Sequence, residues 1–372
     1  MKFIISSTSM LGSLTAVSKA ISAKPVLPIL ENILLESREG KLYATASDRE
    51  TTIETILNIE SIEGEGKIAM STKLTDILKE FPELPLTLET NAEGTSMKIT
   101  SQKGKFDVPG ASAEDYPVPN TCGDAETVIK TTCSIMLDGI NKSEFATGND
   151  ELRPQMNCIL IEMNNDCFTF VASDAHKLVR FKRFDAQSDA PATLMLPKKP
   201  AQLLKNILPK DDTELTISYN NKQAIFTFGN YKIACTLIEG RFPNYNAVIP
   251  QNNPRKMIAN TKDLYNTIKR VSVVANAASK LIKLQLADNT IEVSAQDSEY
   301  KMSGVESMSC QYEGDPIAIG FKAPYVLELL NNIGTENTLL ELSDPTRPGL
   351  FLPYEAESQN GDLLMLLMPM MI

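Results

Sequence analysis

The sequence has no tryptophan and only one histidine, His176, which restricts the chemistry that it can perform. It contains no Gly-x-x-x-x-Gly-Lys phosphate loop, no Gly-x-Gly-x-x-Gly fingerprint and no Gly-x-Ser-x-Gly nucleophile motif. A Ser-His-Asp hydrolase would need His176 as its base, yet the nearest acid is Asp174 and nothing marks a nucleophile. Catalysis by carboxylates alone stays open without positive support, so we expect no catalytic residue and no cofactor.

Cysteines and long apolar runs are also scarce. The six cysteines, at positions 122, 133, 158, 167, 235 and 310, include no Cys-x-x-Cys pair, which predicts free thiols and no metal site. The longest apolar run, residues 363–368 and its continuation to 372, is too short for a membrane span. The first eight residues hold too few apolar side chains for a signal peptide. We therefore expect a cytoplasmic protein without a membrane partner.

What the chain does contain fits two to three folded domains. It has 372 residues, of which 42% are hydrophobic and 22% charged, as in ordinary globular proteins. The net charge of −11 would not, as a total, suggest a nucleic-acid partner.

Two landmarks recur three times along the chain. Residues 42–48 (LYATASD), 168–174 (FTFVASD) and 291–297 (IEVSAQD) each alternate like a half-buried strand and end in a turn-favouring Asp. A Lys that opens a helical pattern follows each Asp after 25 residues, at Lys73, Lys199 and Lys322. The period near 124 residues indicates tandem domains rather than a solenoid of small units.

Each repeat reads as an α+β domain, with two helices on one face of an antiparallel sheet. Pro-rich stretches at 116–120 and 249–254 read as linkers. We therefore predict domain 1 at 1–122, domain 2 at 123–250 and domain 3 at 251–372.

The predicted helices are more basic than the protein as a whole. The windows 8–22, 72–81, 134–146, 198–210, 261–275 and 322–333 hold twelve basic and six acidic residues, which leaves −17 elsewhere. If the helices line one surface, that surface attracts a polyanion through phosphate contacts that ignore sequence. The alternative is that these lysines only solvate exposed helix faces, and the count alone does not decide between the two.

Four segments add a family resemblance to this pattern. They are residues 24–32 (KPVLPILEN), 173–178 (SDAHKL, similar to Thr-Asp-Gly-His-Arg-Leu), 237–245 (LIEGRFPNY) and 367–372 (LMPMMI, similar to Val-Met-Pro-Met-Arg-Leu). With the triplicated unit, they make the chain resemble the bacterial sliding-clamp family, the β subunit of DNA polymerase III, from end to end.

The resemblance implies a DNA-clamp fold in which two chains close head to tail into a ring, with helices lining the hole. Such a homodimer encircles double-stranded DNA, slides along it and confers processivity by tethering the replicative polymerase. Its implied protein partners are the polymerase α subunit, the clamp loader δ subunit and other proteins that carry a clamp-binding motif. The resemblance implies that the protein itself catalyses no reaction.

The resemblance and the charge pattern together suggest the residues that contact DNA. Lys24 and Arg153 match loop positions of the family, and Lys280 occupies the equivalent place in the third repeat. The helix residues Lys198, Lys199 and Lys205 come from the charge argument. Pro154 and Gln155 stand where some members place two aromatic residues after the arginine.

The resemblance also implies a hydrophobic groove between domains 2 and 3 that takes the partner motif. The matching positions are Met156, Ser173, Ala175, His176, Lys177, Leu178, Pro243, Val248, Thr346, Pro348, Leu367, Met368, Pro369 and Met370. Flexible methionine thioethers suit a site that accepts several ligands. The same C-terminal run also reads as a buried strand, and both interpretations can hold. Ala247 replaces a basic residue that is common in the family.

The dimer interface can be placed in the same way. Residues 103–108 (KGKFDV) resemble the edge strand of the first domain, and Val273 and Val274 resemble the helix end opposite it. We expect Phe106, Val108, Val273 and Val274 to form an apolar core, with Lys103 and Lys105 facing acids near Glu299.

Two other classes of function compete with a clamp. An enzyme would need a cluster of reactive residues in one repeat that the others lack, whereas the repeats look equivalent. A protein-binding scaffold would show no charge difference between helices and strands and no DNA affinity that depends on circularity.

Overall fold

The computed structural model describes residues 1–117, 127–354 and 361–372. They form two compact units, one made of Met1–Leu137 and Lys199–Leu237 (unit 1) and the other of Asp138–Lys198 and Ile238–Ile372 (unit 2). The predicted boundary between residues 122 and 123, part of the linker 116–120, and Cys122 lie outside the described residues. The three-domain boundaries stay a prediction.

Each repeat supplies two α-helices and a set of strands within the described ranges. The first contains β1 (Lys2–Ser6), α1 (Ser7–Ser18), β2 (Asn32–Arg38), β3 (Lys41–Ser47), β4 (Thr51–Leu57), β5 (Ser61–Glu63), β6 (Gly66–Ser71), α2 (Lys73–Lys79), β7 (Pro85–Thr90), β8 (Ser96–Thr100) and β9 (Lys105–Ala111). The second contains β10 (Thr127–Thr132), α3 (Cys133–Ser143), β11 (Cys158–Met163), β12 (Phe168–Ser173), β13 (Lys177–Arg183), β14 (Ala192–Pro197), α4 (Lys198–Ile207), β15 (Glu214–Tyr219), β16 (Gln223–Phe228) and β17 (Tyr231–Thr236). The third contains β18 (Arg255–Asn260), α5 (Thr261–Ser272), β19 (Leu281–Ala287), β20 (Thr290–Asp297), β21 (Met302–Ser309), β22 (Gln311–Glu313), β23 (Ile317–Lys322), α6 (Ala323–Ile333), β24 (Asn337–Leu342), β25 (Gly349–Tyr354) and β26 (Gly361–Leu367).

The sheets cross the repeat boundaries. Unit 1 holds a 13-stranded sheet in the order β10-β15-β16-β17-β4-β3-β2-β6-β9-β8-β7-β1-β5. Unit 2 holds a nine-stranded sheet, β14-β11-β12-β13-β26-β25-β24-β18-β22, and a four-stranded one, β21-β20-β19-β23. The second repeat therefore gives β10 and β15–β17 to unit 1 and β11–β14 to unit 2. The α+β prediction of three antiparallel-sheet domains with two helices each is confirmed.

The landmark aspartates form the same turn in all three repeats. One carboxylate oxygen of Asp48, Asp174 and Asp297 accepts backbone N–H groups of the residues two and three positions later, at 2.7–3.1 Å. Asx-type turns of this kind reverse the chain between two strands. These hydrogen bonds agree with the interpretation of the three aspartates as turn residues.

Local sequence explains where helices begin and how they pack. The Asn260 side chain accepts from the N–H groups of Lys262 and Asp263 at 3.1 Å, which caps α5. Apolar residues at helical spacing along α5, such as Leu264, Ile268 and Val271, are buried. No helix in the described ranges is both long and apolar enough to cross a lipid bilayer.

The helices as observed carry slightly less charge than their predicted windows. They contain nine basic and four acidic residues, a net +5 that leaves −16 elsewhere. Lys19, Lys210 and Lys322 lie just outside them. Six of the nine basic residues belong to α4 and α5, while α1 has no charged residue. The basic excess is therefore concentrated in two helices rather than shared by six.

Candidate functional site

The strongest candidate for a binding surface is an apolar cluster in unit 2. Its buried members come from β11–β14, β25, β26 and the segment that precedes β18: Cys158, Leu160, Val171, Leu178, Met195, Phe242, Ile249, Leu350, Leu364 and Leu366. Ile238, Tyr245 and Leu352 pack against it and are partly exposed. Because β13 and β26 pair antiparallel, with Leu178 opposite Leu366, residues from the second and third repeats share one apolar face.

The segment that precedes β18 lies against this cluster. A 3₁₀ turn at Tyr245–Val248 presents Val248, which is 51% exposed. The Tyr245 hydroxyl donates to a Glu162 carboxylate oxygen at 2.6 Å, which ties the turn to β11. Burial, together with the Glu162 carboxylate, raises the pKa of Tyr245, so the hydroxyl stays a hydrogen-bond donor above its usual titration range.

The remaining predicted groove residues fall into exposed and buried sets. Ala175, His176, Pro243, Val248, Thr346 and Met368 are exposed, whereas Ser173, Lys177, Leu178 and Leu367 are buried and Met156, Pro348, Pro369 and Met370 are intermediate. Leu367 is fully buried, and its strand neighbours Leu366 and Leu364 are the β26 residues in the cluster. The cluster thus brings Leu178 together with residues that the sequence reasoning did not single out, including Phe242, Leu350 and Leu366. Strand alternation from Met368 backwards could have found Leu366.

One wall of this surface is the turn between β12 and β13. The Asp174 carboxylate accepts from the Lys177 ammonium at 2.9 Å, and Glu328 on α6 accepts from the same ammonium at 3.0 Å. The ammonium lies 4.6 Å from the centre of the Tyr325 ring, and that ring stacks on His176. Burial lowers the pKa of Lys177, but the hydrogen bonds to Asp174 and Glu328 outweigh it and raise the pKa overall.

Thiol chemistry is not favoured at this surface. Burial raises the pKa of Cys158, a buried member of the cluster, to about 12. A thiol with such a pKa stays protonated at neutral pH and is a poor nucleophile.

Among the DNA candidates of unit 2, Arg153 lies on the loop between α3 and β11. Its guanidinium donates to Asp150 at 2.8 Å, and Asp150 also accepts from the Leu152 N–H. These hydrogen bonds lower the pKa of Asp150, the one from Arg153 most. Lys198 donates to the Asn149 side chain at 3.1 Å, and Lys280 is exposed at the start of β19.

Unit 1 contains the other three DNA candidates. Lys24 is exposed in the loop after α1. Lys199 forms an ion pair with the turn residue Asp48 and keeps 44% of its side chain exposed. Lys205 is exposed in the last turn of α4. The ion pair of Lys199 means that its charge is partly neutralised, so it offers less attraction to phosphate than a free lysine.

The predicted interface residues divide between the units. In unit 1, Phe106 is 43% exposed, packs edge-on against Phe81 at 5.4 Å and neighbours the buried Val108; Lys103 and Lys105 are exposed. In unit 2, Val273 is 76% exposed, Val274 is half-buried and Glu299 is exposed. An added Cβ on Gly304 would come within 2.9 Å of the Val274 side chain, so β21 and the end of α5 lie close together.

Comparison with protein families covers almost the whole chain. Residues 1–120 match the N-terminal domain of the DNA polymerase III β subunit, residues 132–244 its central domain and residues 246–371 its C-terminal domain.

Curated proteins and solved structures agree with this assignment. The chain is 26% identical to the beta sliding clamp of Vibrio cholerae over 94% of its own length and 95% of that protein, and 26% identical to the one of Pseudomonas aeruginosa over the full length of both. The crystal structure of the DNA polymerase III β subunit from Pseudomonas aeruginosa superposes with a TM-score of 0.93 at 25% identity, covering both chains completely. The Thermotoga maritima β subunit, at 23% identity and a TM-score of 0.91, shares the fold. The chain therefore belongs to the family of the DNA polymerase III β subunit, the bacterial sliding clamps.

Proposed function

We propose that the protein is a processivity factor: two copies close into a ring around duplex DNA, and the ring tethers the replicative polymerase. The observation that carries this proposal is the match of all three family domains, in order, along one chain. As in the family, the subunit is non-catalytic, and its proposed place of action is the bacterial cytoplasm. A closed ring holds DNA by topology, so weak, salt-screened phosphate contacts are sufficient and leave it free to slide.

The internal repeats support a specific way of closing the ring. In unit 1, β4 of the first repeat pairs with β17 of the second, and in unit 2, β13 of the second pairs with β26 of the third. The equivalent strands for a third junction are β21 and β9. Within the described residues, β21 ends its sheet, and residues 105–109 of β9 pair with β8 alone. We infer that β21 of one copy adds to β9 of another, as strands with free edges do.

Equivalent positions give the register of this interface. Ile53 lies opposite Ile233 in one junction and Val179 opposite Met365 in the other; the same positions in the third are Gly304 and Phe106. The Phe106 ring would then lie over a residue without a side chain, beside Val274. Val108 would face Met302, which is 43% exposed. This register supports the apolar core of Phe106, Val108, Val273 and Val274.

In this register, the charged contacts of the interface differ from those expected from the sequence. Lys103 and Lys105 lie toward the half of β21 that carries Glu306 and away from the turn of Glu299. The first junction joins the turn residue Asp48 to Lys199 near the start of α4. By the same rule, we propose that the turn of Asp297, which carries Glu299, faces Lys73 at the start of α2 of the other copy. These pairs would fix the register more than the affinity, because they lie at a solvated rim.

DNA contact is proposed for Lys24, Arg153, Lys198, Lys199, Lys205 and Lys280, with Lys199 contributing least because of its pairing with Asp48.

The partner surface is proposed at the apolar cluster of unit 2 and its exposed rim, Val248 and Met368 above all. Sliding clamps from Pseudomonas aeruginosa and Bartonella birtlesii were crystallised with griselimycin. We propose that griselimycin also binds this protein, and that it does so at the partner surface of unit 2.

Encirclement is tested by loading the protein onto nicked circular DNA with a bacterial clamp loader and then linearising the DNA. We expect the protein to stay on circles and to leave linear molecules over their ends, because no tight contact holds it. A variant that cannot dimerise serves as the control and should stay on neither. Equal retention on circular and linear DNA would refute the proposal.

A further inference from the structure

Lys177 is unusual because its ammonium is buried and still carries two acidic partners. Its side chain is 6% exposed, against 15% for Asp174 and 37% for Glu328. The Tyr325 ring and Lys322, whose ammonium lies 5.1 Å from the ring centre, complete the group. Because the cost of desolvation offsets much of the attraction in a buried ion pair, this arrangement is weak evidence for a purely stabilising role. Glu328 stands on α6 of the third repeat, whereas Lys177 and Asp174 belong to the second.

A continuous set of hydrogen bonds leads from this ion group to the rim of the partner surface. The Asp174 carboxylate binds the ammonium of Lys177 and accepts from the N–H groups of His176 and Lys177. The His176 carbonyl in turn accepts from the Met368 N–H at 2.8 Å. Met368 is 40% exposed at the rim. The shape of turn 174–177 therefore sets where the Met368 backbone lies.

The turn holds a conformation that its own sequence disfavours. Ala175 has a φ of 72°, in the left-handed region that suits glycine. The Ser173 hydroxyl accepts from the Ala175 N–H at 3.2 Å and donates to the Lys177 carbonyl at 2.9 Å. Strained residues of this kind persist only where the surroundings hold them in place. The ion group supplies such a constraint from a different repeat.

We propose that Glu328 is a positioning residue for ligand binding: it holds Lys177 and Asp174, and through them turn 174–177 and Met368, in the binding-competent geometry. The inference rests on the proposed partner surface and goes beyond it, because Glu328 acts without touching the ligand. The strain at Ala175 explains why the turn needs this support. With glycine at 175, the turn would keep its shape by itself.

The test compares griselimycin affinity, by titration calorimetry, for the full-length protein and five variants, of which Val248→Asp tests the partner surface itself. Glu328→Gln keeps the shape and removes the charge, and we expect it to bind about ten-fold more weakly. Glu341→Gln is the matched control: it removes an ion pair with Lys256, at 3.6 Å on neighbouring strands of unit 2, and should bind as wild type. Ala175→Gly relieves the strain of the turn and serves as its own reference: adding Glu328→Gln to it should lower the griselimycin affinity by less than about two-fold relative to Ala175→Gly alone.

Each outcome decides between positioning and its alternatives. If Glu328→Gln lowers the griselimycin affinity by the same factor with glycine at 175 as with alanine, the Glu328 carboxylate contacts the ligand directly and the positioning role is wrong. If Glu328→Gln binds as wild type while Val248→Asp binds weakly, the partner surface stands and only this inference falls. If the wild type does not bind griselimycin, or Val248→Asp binds it normally, the proposed surface itself is refuted and the inference with it. Melting temperatures of all variants check that each is folded.

Discussion

The interface between copies can be tested by placing two negative charges in its proposed apolar core. Phe106 is 43% exposed and Val273 is 76% exposed in the single chain, so both have surface left to bury. Completing that burial is worth about 2 kcal/mol per interface. An aspartate buried there without a partner costs at least ~1 kcal/mol more. Each interface receives one aspartate from each copy, and a ring of two copies has this interface twice. We therefore expect Phe106→Asp with Val273→Asp to weaken the dimer by about 8 kcal/mol, or on the order of 10⁶-fold.

The assay is sedimentation velocity at micromolar concentration, with melting temperature as the check on folding. Val128→Asp is the control, because Val128 is 57% exposed on β10, away from the proposed interface residues. We expect the double variant to sediment as a folded monomer and the control as a dimer. A folded double variant that still sediments as a dimer would show that the copies meet through other strands.

Two further predictions concern stability. Gly139→Ala should lower the melting temperature, although alanine favours a helix by about 1 kcal/mol. The new Cβ would collide with the fully buried Phe170 ring, and such overpacking costs about 1–3 kcal/mol; a higher melting temperature in calorimetry would contradict this. Lys98→Glu should lower the melting temperature by about 1–2 °C at low salt and by less at high salt, because Lys98 lies directly opposite Glu89 and Asp107 on the neighbouring strands. If salt does not change the shift in melting temperature, charge repulsion is not its cause.

The extent to which the candidate site could be predicted differs between its parts. Leu178 and Met368 follow from short motifs, and both lie at the apolar cluster or its rim. Phe242 and Leu350 were missed because a motif match names positions, not the side chains that meet beneath them. Glu328 carries no local signal at all, since its partner Lys177 is 151 residues away in the sequence.

The sequence by itself determined the threefold repeat, the strand-and-helix order and the turns at Asp48, Asp174 and Asp297, because alternation, helical spacing and Asx-turn hydrogen bonds depend on residues a few positions apart. Only the tertiary structure decided that the second repeat is shared between two units and that β4 pairs with β17 and β13 with β26. It also decided that the Gly139 helix packs on Phe170 and that Lys177 is buried against Glu328. These contacts join residues far apart in the chain, and their energies depend on burial that no local pattern records.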